Sequence, residues 1–223
     1  IAVCLGGDPI YTYVATAPLP DNFDEYLLAG ILRKKKVELV RCITQDIEVP
    51  FDVDIVIEGY INPNDEMKWE GPFGDHTGFY SIPDYYPKFN ITCITFKNQA
   101  IYPATIVGIP PQEDAYLGKI TEIIFTGMLK KFVFSEIEDI YIPQESTFHN
   151  LAIIKIKKQY PGHAIKVMNS IWGIGQLMFT KVIIVVDEID NIRDHNNLLK
   201  VILERIDINR DIHFNRGPLD VLD

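Results

Sequence analysis

Leu151-Ala152-Ile153-Ile154-Lys155-Ile156 is a short, almost unbroken apolar run, and Lys181-Val182-Ile183-Ile184-Val185-Val186 repeats the pattern further along. Runs this short and this rich in β-branched residues predict strands buried on both faces. The spacing between them predicts a helix over His163–Met178, and a second helix follows over Asn196–Arg205. Strand, helix, strand, helix is the rhythm of a βαβ sheet. Upstream, Leu117, Ile120, Ile124 and Leu129 share one face of a helix predicted over 113–134. Gly108-Ile109-Pro110-Pro111 breaks the chain just before it. The expected boundary therefore lies near 112, with an α/β domain over 113–223.

Residues 37–107 have a different period. Val37-Glu38-Leu39-Val40-Arg41-Cys42, Asp54–Ile61 and Ile91–Phe96 read as short strands punctuated by Pro50, Pro63-Asn64-Asp65, Pro83-Asp84 and Lys97-Asn98. Such repetition points to an antiparallel barrel or sandwich over 1–112. At its start, an apolar strand, a Gly6-Gly7-Asp8-Pro9 turn and a second segment lead to the rigid Ala17-Pro18-Leu19-Pro20. Asp21 is then expected to cap a helix over Phe23–Leu32.

The chain of 223 residues is 47% hydrophobic and 23% charged, which is the profile of a folded globular protein. Its net charge of −10 excludes nucleic acid as a main partner, because phosphate binding needs clustered cations. The basic run Arg33-Lys34-Lys35-Lys36 reads as a solvated helix end. Cys4, Cys42 and Cys93 show no metal-ligand spacing and fit a reduced, cytoplasmic protein. No apolar stretch reaches membrane-span length. The chain lacks an initiating Met and begins as if within a strand, so it is expected to be a fragment.

Trp69-Glu70-Gly71-Pro72-Phe73-Gly74-Asp75-His76-Thr77-Gly78-Phe79-Tyr80 carries the chemistry. Glycines allow the backbone to approach a ligand closely. Aromatic side chains supply an apolar wall against which a carboxyl pKa can rise, as a general acid requires. Two carboxylates five residues apart can then divide anchoring from proton delivery. On the residues alone, an ordinary solvated Gly-Pro turn is an equal reading. His76 by itself is thin support for zinc.

That loop resembles the signature of UbiD-type decarboxylases, which reads EGPFG followed by an acid and an aromatic tail. Ala15-Thr16-Ala17-Pro18-Leu19-Pro20, Asp24-Glu25, Val37-Glu38-Leu39-Val40 and Ile57-Glu58-Gly59-Tyr60 fall in the family's order. So do Lys157-Lys158-Gln159-Tyr160-Pro161-Gly162-His163-Ala164 and Phe179-Thr180-Lys181. The resemblance implies an α+β protein, with a flavin-reductase-like split β-barrel followed by a smaller α/β domain. It implies non-oxidative decarboxylation of an aromatic or α,β-unsaturated acid on prenylated FMN. A prenylated 4-hydroxybenzoate, or a related ubiquinone or menaquinone precursor, is the favoured substrate.

By the same resemblance, Glu70 and Asp75 are the catalytic acids, with Asp75 the proton donor and Glu70 the anchor of an arginine lying before Ile1. Glu25 would ligate manganese, with Asp24 as its competitor. Thr16, Ala17, Pro18 and His76 would border the cofactor, and carbonyls near Ala15 and Ala17, with that of Arg205, would hold potassium. His163 and Lys181 are expected to be structural. Expected partners are a small aromatic acid, a flavin prenyltransferase as cofactor supplier, and further copies of the chain. A lipophilic substrate would bring the cytoplasmic enzyme to the membrane surface. The rival readings are a non-catalytic flavin-binding protein and an assembly module.

Overall fold

The computed structural model describes residues 1–19, 21–109, 111–132, 134–147 and 149–218. Pro20 and Pro110, read as breakers, and Val133, at the expected end of the long helix, lie outside the described residues. The chain divides into two compact units. One comprises Ile1–Ala17, Asp21–Asp75 and Phe79–Ile106, and the other Pro18–Pro20, His76–Gly78 and Val107–Asp223.

The first unit runs β1 (Ala2–Leu5), α1 (Pro9–Thr16), α2 (Glu25–Arg33), β2 (Leu39–Arg41), β3 (Glu48–Pro50) and β4 (Ile55–Ile61). It continues with β5 (Lys68–Glu70), β6 (Asp84–Tyr86) and β7 (Phe89–Phe96). β4 is the centre of an antiparallel sheet in which Ile57 faces Val3 on β1 and Ile94 on β7. A register shift between Glu58 and Gly59 marks a bulge, where a Cβ on Gly59 would sit 2.3 Å from the Asn90 carbonyl oxygen. Only glycine tolerates that approach. β2–β3 and β5–β6 are separate antiparallel ribbons. The architecture is α+β with small sheets, and the pairings of the described strands do not close a cylinder.

One sequence expectation at the N-terminal end needs correction, and one segment left unassigned resolves. The second segment is helix α1, because Asp8 accepts a hydrogen bond from the Ile10 N–H at 3.1 Å and Pro9 occupies the first turn, where its missing N–H is not needed. Asp24, not Asp21, caps α2 by accepting from Tyr26 N–H at 2.8 Å, so the helix begins at Glu25.

The basic run is not wholly solvated either. The Arg33 side chain is only 7% exposed and pairs with Asp8 at 2.8 Å and Asp52 at 2.5 Å. The Tyr11 hydroxyl donates to Asp52 at 2.6 Å, which ties α1, α2 and the turn before β4 together. Burial opposes ionisation of Asp52, but hydrogen bonds from Tyr11 and Arg33, with the Arg33 charge, hold its carboxyl below the ordinary range. Nearby, buried Glu58 accepts from the N–H groups of Ile43 (2.9 Å) and Thr44 (2.6 Å) and the Thr44 hydroxyl (2.7 Å). These bonds fasten the turn between β2 and β3 to the β4 bulge. Val49, Val53 and Val56 form the local core with Cys4 and Cys42 packed against it, and all three cysteines are free and half-buried.

The second unit contains α3 (Glu113–Phe132), β8 (Ile137–Tyr141), β9 (Leu151–Ile156), α4 (His163–Ile171), β10 (Val182–Val186), α5 (His195–Arg205) and α6 (Ile208–Asp211). The sheet order is β10-β9-β8, with β10 parallel and β8 antiparallel to β9. Helix α4 makes the crossover that a parallel pair demands. Ala152, Ile154 and Ile156 pack with Leu129, Ile137, Val167 and Ile171, while Ile153 packs with Ile189, Ile192 and Leu198. Burial on both faces is why β9 reads as an unbroken apolar run. The helix expected to reach Met178 stops at Ile171. Gly173 follows, and Trp172 donates its indole N–H to the Thr180 carbonyl at 2.7 Å, with Gly175–Phe179 in a separate 3-10 turn. No helix among the described residues is long and apolar enough to cross a membrane.

His163, 2% exposed at the start of α4, is 3.0 Å from the Glu136 carboxylate, which also accepts from Lys166 at 2.5 Å. Burial works against ionisation of Glu136. The hydrogen bonds from Lys166, the backbone and His163, together with the Lys166 charge, outweigh it and hold the carboxyl at about 2. A depressed carboxyl stabilises the fold above its unfolded value and ceases to do so as pH falls through its folded value. Resistance to urea should therefore decline between the ordinary value of 4.5 and about 2. Glu136→Gln should flatten that part of the pH profile, as followed by the urea midpoint.

Candidate active site

Strands β5 and β6 hold the acidic loop at its base. Trp69 pairs with Tyr85 in register, their rings edge to face at 5.0 Å, and Glu70 lies opposite Asp84. The chain between them folds back as a hairpin. Phe73 N–H donates to the Ser81 hydroxyl at 3.0 Å, and Ser81 N–H to the Phe73 carbonyl at 2.9 Å. Gly74 bridges to Tyr80, and Asp75 N–H donates to the Phe79 carbonyl at 2.9 Å. The tip is His76-Thr77-Gly78. Gly78 has φ +89°, and a Cβ there would lie 2.8 Å from Ile109 Cγ1, so the tip requires glycine on two counts.

The two acids of this loop differ sharply. Asp75 is 7% exposed, whereas Glu70 lies on the exposed β5 and its side chain makes no hydrogen bond or ion pair among the described residues. Trp69, Phe73, Phe79 and Tyr80 are all exposed, at 48% or more. The hairpin thus offers one sheltered carboxyl, one open carboxylate and a set of uncovered aromatic faces.

His76 is not isolated, although no second histidine lies near it in the sequence. Its Nε2 is 3.1 Å from Nε2 of His149, with ring centroids 5.3 Å apart. His149 was missed because seventy-three positions separate the two, and no local spacing signals such a pair.

Thr16 and Ala17 lie at the end of α1. The Thr16 hydroxyl donates to Tyr13 O at 3.0 Å and Ala17 N–H to Val14 O at 3.3 Å. The carbonyls at this end of the helix, around Ala15 and Ala17, lie at the negative end of its dipole, where a cation is favoured. Pro18 is buried, and the backbone of Pro18 and Leu19 runs against Gly175. Glu25, in the first turn of α2, is exposed and makes no hydrogen bond or ion pair among the described residues, while Asp24 is engaged as the cap. Glu25 is therefore the better placed of the two to offer a carboxylate to a hard cation. Arg205 donates to Glu188 at 3.3 Å. Among the described residues no group of three or more His, Cys, Asp or Glu side chains is placed to hold a metal ion.

Comparison with known proteins places these features in context. Residues 1–110 match the 3-octaprenyl-4-hydroxybenzoate carboxy-lyase Rift-related domain, and residues 115–223 match the C-terminal domain of the same carboxy-lyase. An uncharacterized protein of Archaeoglobus fulgidus is 48% identical across the whole chain, which spans 46% of that relative's length. The UbiD-class enzyme HmfF from Pelotomaculum thermopropionicum, in an evolved dimeric form in complex with prFMN, superposes with a TM-score of 0.77 at 28% identity. That match covers 95% of this chain and 48% of HmfF. The closed form of vanillic acid decarboxylase from Sedimentibacter hydroxybenzoicus gives a TM-score of 0.84 at 27% identity, over 94% of this chain and 44% of the other. With both family domains matched along nearly its whole length, the chain belongs to the UbiD family of carboxy-lyases.

Proposed function

We propose that the full-length protein decarboxylates an aromatic or α,β-unsaturated carboxylic acid without net oxidation, and that this chain contributes its proton-donating loop. The carrying observation is the burial of Asp75, next to exposed aromatic faces, in a hairpin of the family's acidic-loop pattern. Prenylated FMN, when bound, supplies the electron sink for the carbanion left by departing carbon dioxide. Asp75 delivers a proton to the carbon that loses carbon dioxide. Glu70, open to solvent in this chain, anchors an arginine from the portion of the longer protein outside it. The exposed aromatic residues of the loop exclude water from the reacting carbon.

Thr16, Ala17, Pro18 and His76 border the cofactor. Glu25 would offer its carboxylate to manganese, a hard cation suited to oxygen ligands, and the carbonyls at the end of α1 would favour potassium. A split barrel would require further strands beside β1 and β7, the edges of the β1–β4–β7 sheet among the described residues. A prenylated 4-hydroxybenzoate or a related quinone precursor is the preferred substrate class, met by a cytoplasmic homo-oligomer at the membrane surface and with cofactor from a flavin prenyltransferase.

The test is release of carbon dioxide from a panel of aromatic acids by full-length protein reconstituted with prenylated FMN. Release from at least one acid is expected. Retained flavin with no release from any acid would replace this reading with a non-catalytic flavin-binding module. Glu25→Gln should lose most of the bound manganese, measured by metal analysis after gel filtration, while Asp24→Asn keeps it.

A further inference from the structure

The backbone ladder of the acidic hairpin ends at Asp75. Phe73 bonds Ser81, Gly74 bridges Tyr80, and Asp75 bonds Phe79, after which the chain turns through His76-Thr77-Gly78. At this tip His76 meets His149, with the two Nε2 atoms 3.1 Å apart. An N–H···N contact of that length is a hydrogen bond in which one ring donates and the other accepts. The rings are inclined at 58°, so they meet through their nitrogen edges and not by stacking.

His149 stands on a firm mount. Ser146 closes the preceding 3-10 turn by donating its hydroxyl to Pro143 O at 2.5 Å. Asn150 donates its N–H to Ser146 O at 2.9 Å and its amide nitrogen to Thr147 Oγ1 at 2.8 Å. The Asn150 carbonyl then accepts from Val182 N–H at 2.9 Å, at the head of the β9–β10 pair. His149 thus precedes, by one residue, an asparagine bonded to the 3-10 turn and leading directly into the most buried strand of its unit.

We propose that His149 is a positioning residue: through its hydrogen bond to His76 it holds the hairpin tip, and so fixes the conformation of the adjacent Asp75. The inference rests on the reading of Asp75 as proton donor, and it assigns His149 no contact with substrate. Displacing a donor by even about 1 Å costs about 100-fold in rate, so a tether at the neighbouring residue has leverage on turnover.

The experiment uses full-length protein carrying His149→Ala or His149→Gln, glutamine being chosen because its amide nitrogen can stand where Nε2 stood. In cofactor-loaded enzyme, His149→Ala should lower kcat by about 10- to 100-fold, the range typical of lost supporting hydrogen bonds. With rates normalised to bound flavin, because His76 borders the cofactor, KM should stay within about two-fold of wild type. His149→Gln should recover most of the rate. In cofactor-free protein, amide hydrogen exchange over 73–81 should quicken in His149→Ala and stay near wild type in His149→Gln.

Unchanged exchange in His149→Ala overturns the inference whatever happens to activity. Equal impairment of both variants overturns it as well, because a filler role for the ring would then suffice. Exchange that responds as described, in a protein whose wild type releases no carbon dioxide, keeps the tether and removes Asp75 from the chemistry.

Discussion

Asp75→Asn in the full-length, cofactor-loaded protein is expected to lower kcat by about 10²- to 10⁴-fold, the share that a positioned general acid contributes. Flavin content and the thermal midpoint should stay at wild-type values. The substitution keeps the shape of the side chain, and the hairpin bond from Asp75 N–H to Phe79 O is made by the backbone and not by the carboxyl. An amide cannot release a proton at accessible pH, whereas a carboxyl sheltered at 7% exposure can take one up and hand it on. Initial rates of carbon dioxide release, with the flavin spectrum as control, check this outcome. A wild-type rate in Asp75→Asn would remove the residue from the mechanism.

Ile154→Ala should cost about 2–5 kcal/mol of stability, the usual range for truncating a fully buried isoleucine. Ile154 is completely buried in the central strand of the β10-β9-β8 sheet, within a cluster that includes Leu129, Ile137, Val167 and Ile171. Helices cover that face, so the surroundings can collapse only partly into the space left. Ile208, 70% exposed at the start of α6, is the matched control, and Ile208→Ala should change stability by less than about 0.5 kcal/mol. Urea midpoints of the two variants, compared at constant m-value, check both.

The same contrast explains what could be read in the sequence. β9 and the crossover helix were legible because burial on both faces leaves a continuous apolar run, and a parallel pair requires a connecting helix. Helix α1 was not, because Gly6-Gly7-Asp8-Pro9 carries turn residues that serve equally as a helix start, with Asp8 as cap and Pro9 in the first turn. Arg33 sat in a run of like charges, and only tertiary structure brings Asp8 and Asp52 to it from opposite sides in sequence. The acidic hairpin announced itself through glycines and paired acids, yet its unequal burial of Glu70 and Asp75 depends on where the ladder ends. His149 gave no local signal at all, since its partner lies on a different element. Local chemistry is written in neighbouring residues, while positioning is written across the fold.

Family membership follows from the sequence motifs and the matched domains alike, whereas the proton-delivery role rests on the carboxyl of a single residue. Microscopic reversibility offers a way to observe that role without decarboxylation. A group that places a proton on the product carbon must also remove it. The decisive measurement is exchange with deuterium oxide of the hydrogen on that carbon, followed by NMR with decarboxylated product and cofactor-loaded full-length enzyme. Wild type should catalyse the exchange and Asp75→Asn should not. Exchange at the wild-type rate in Asp75→Asn would contradict the account.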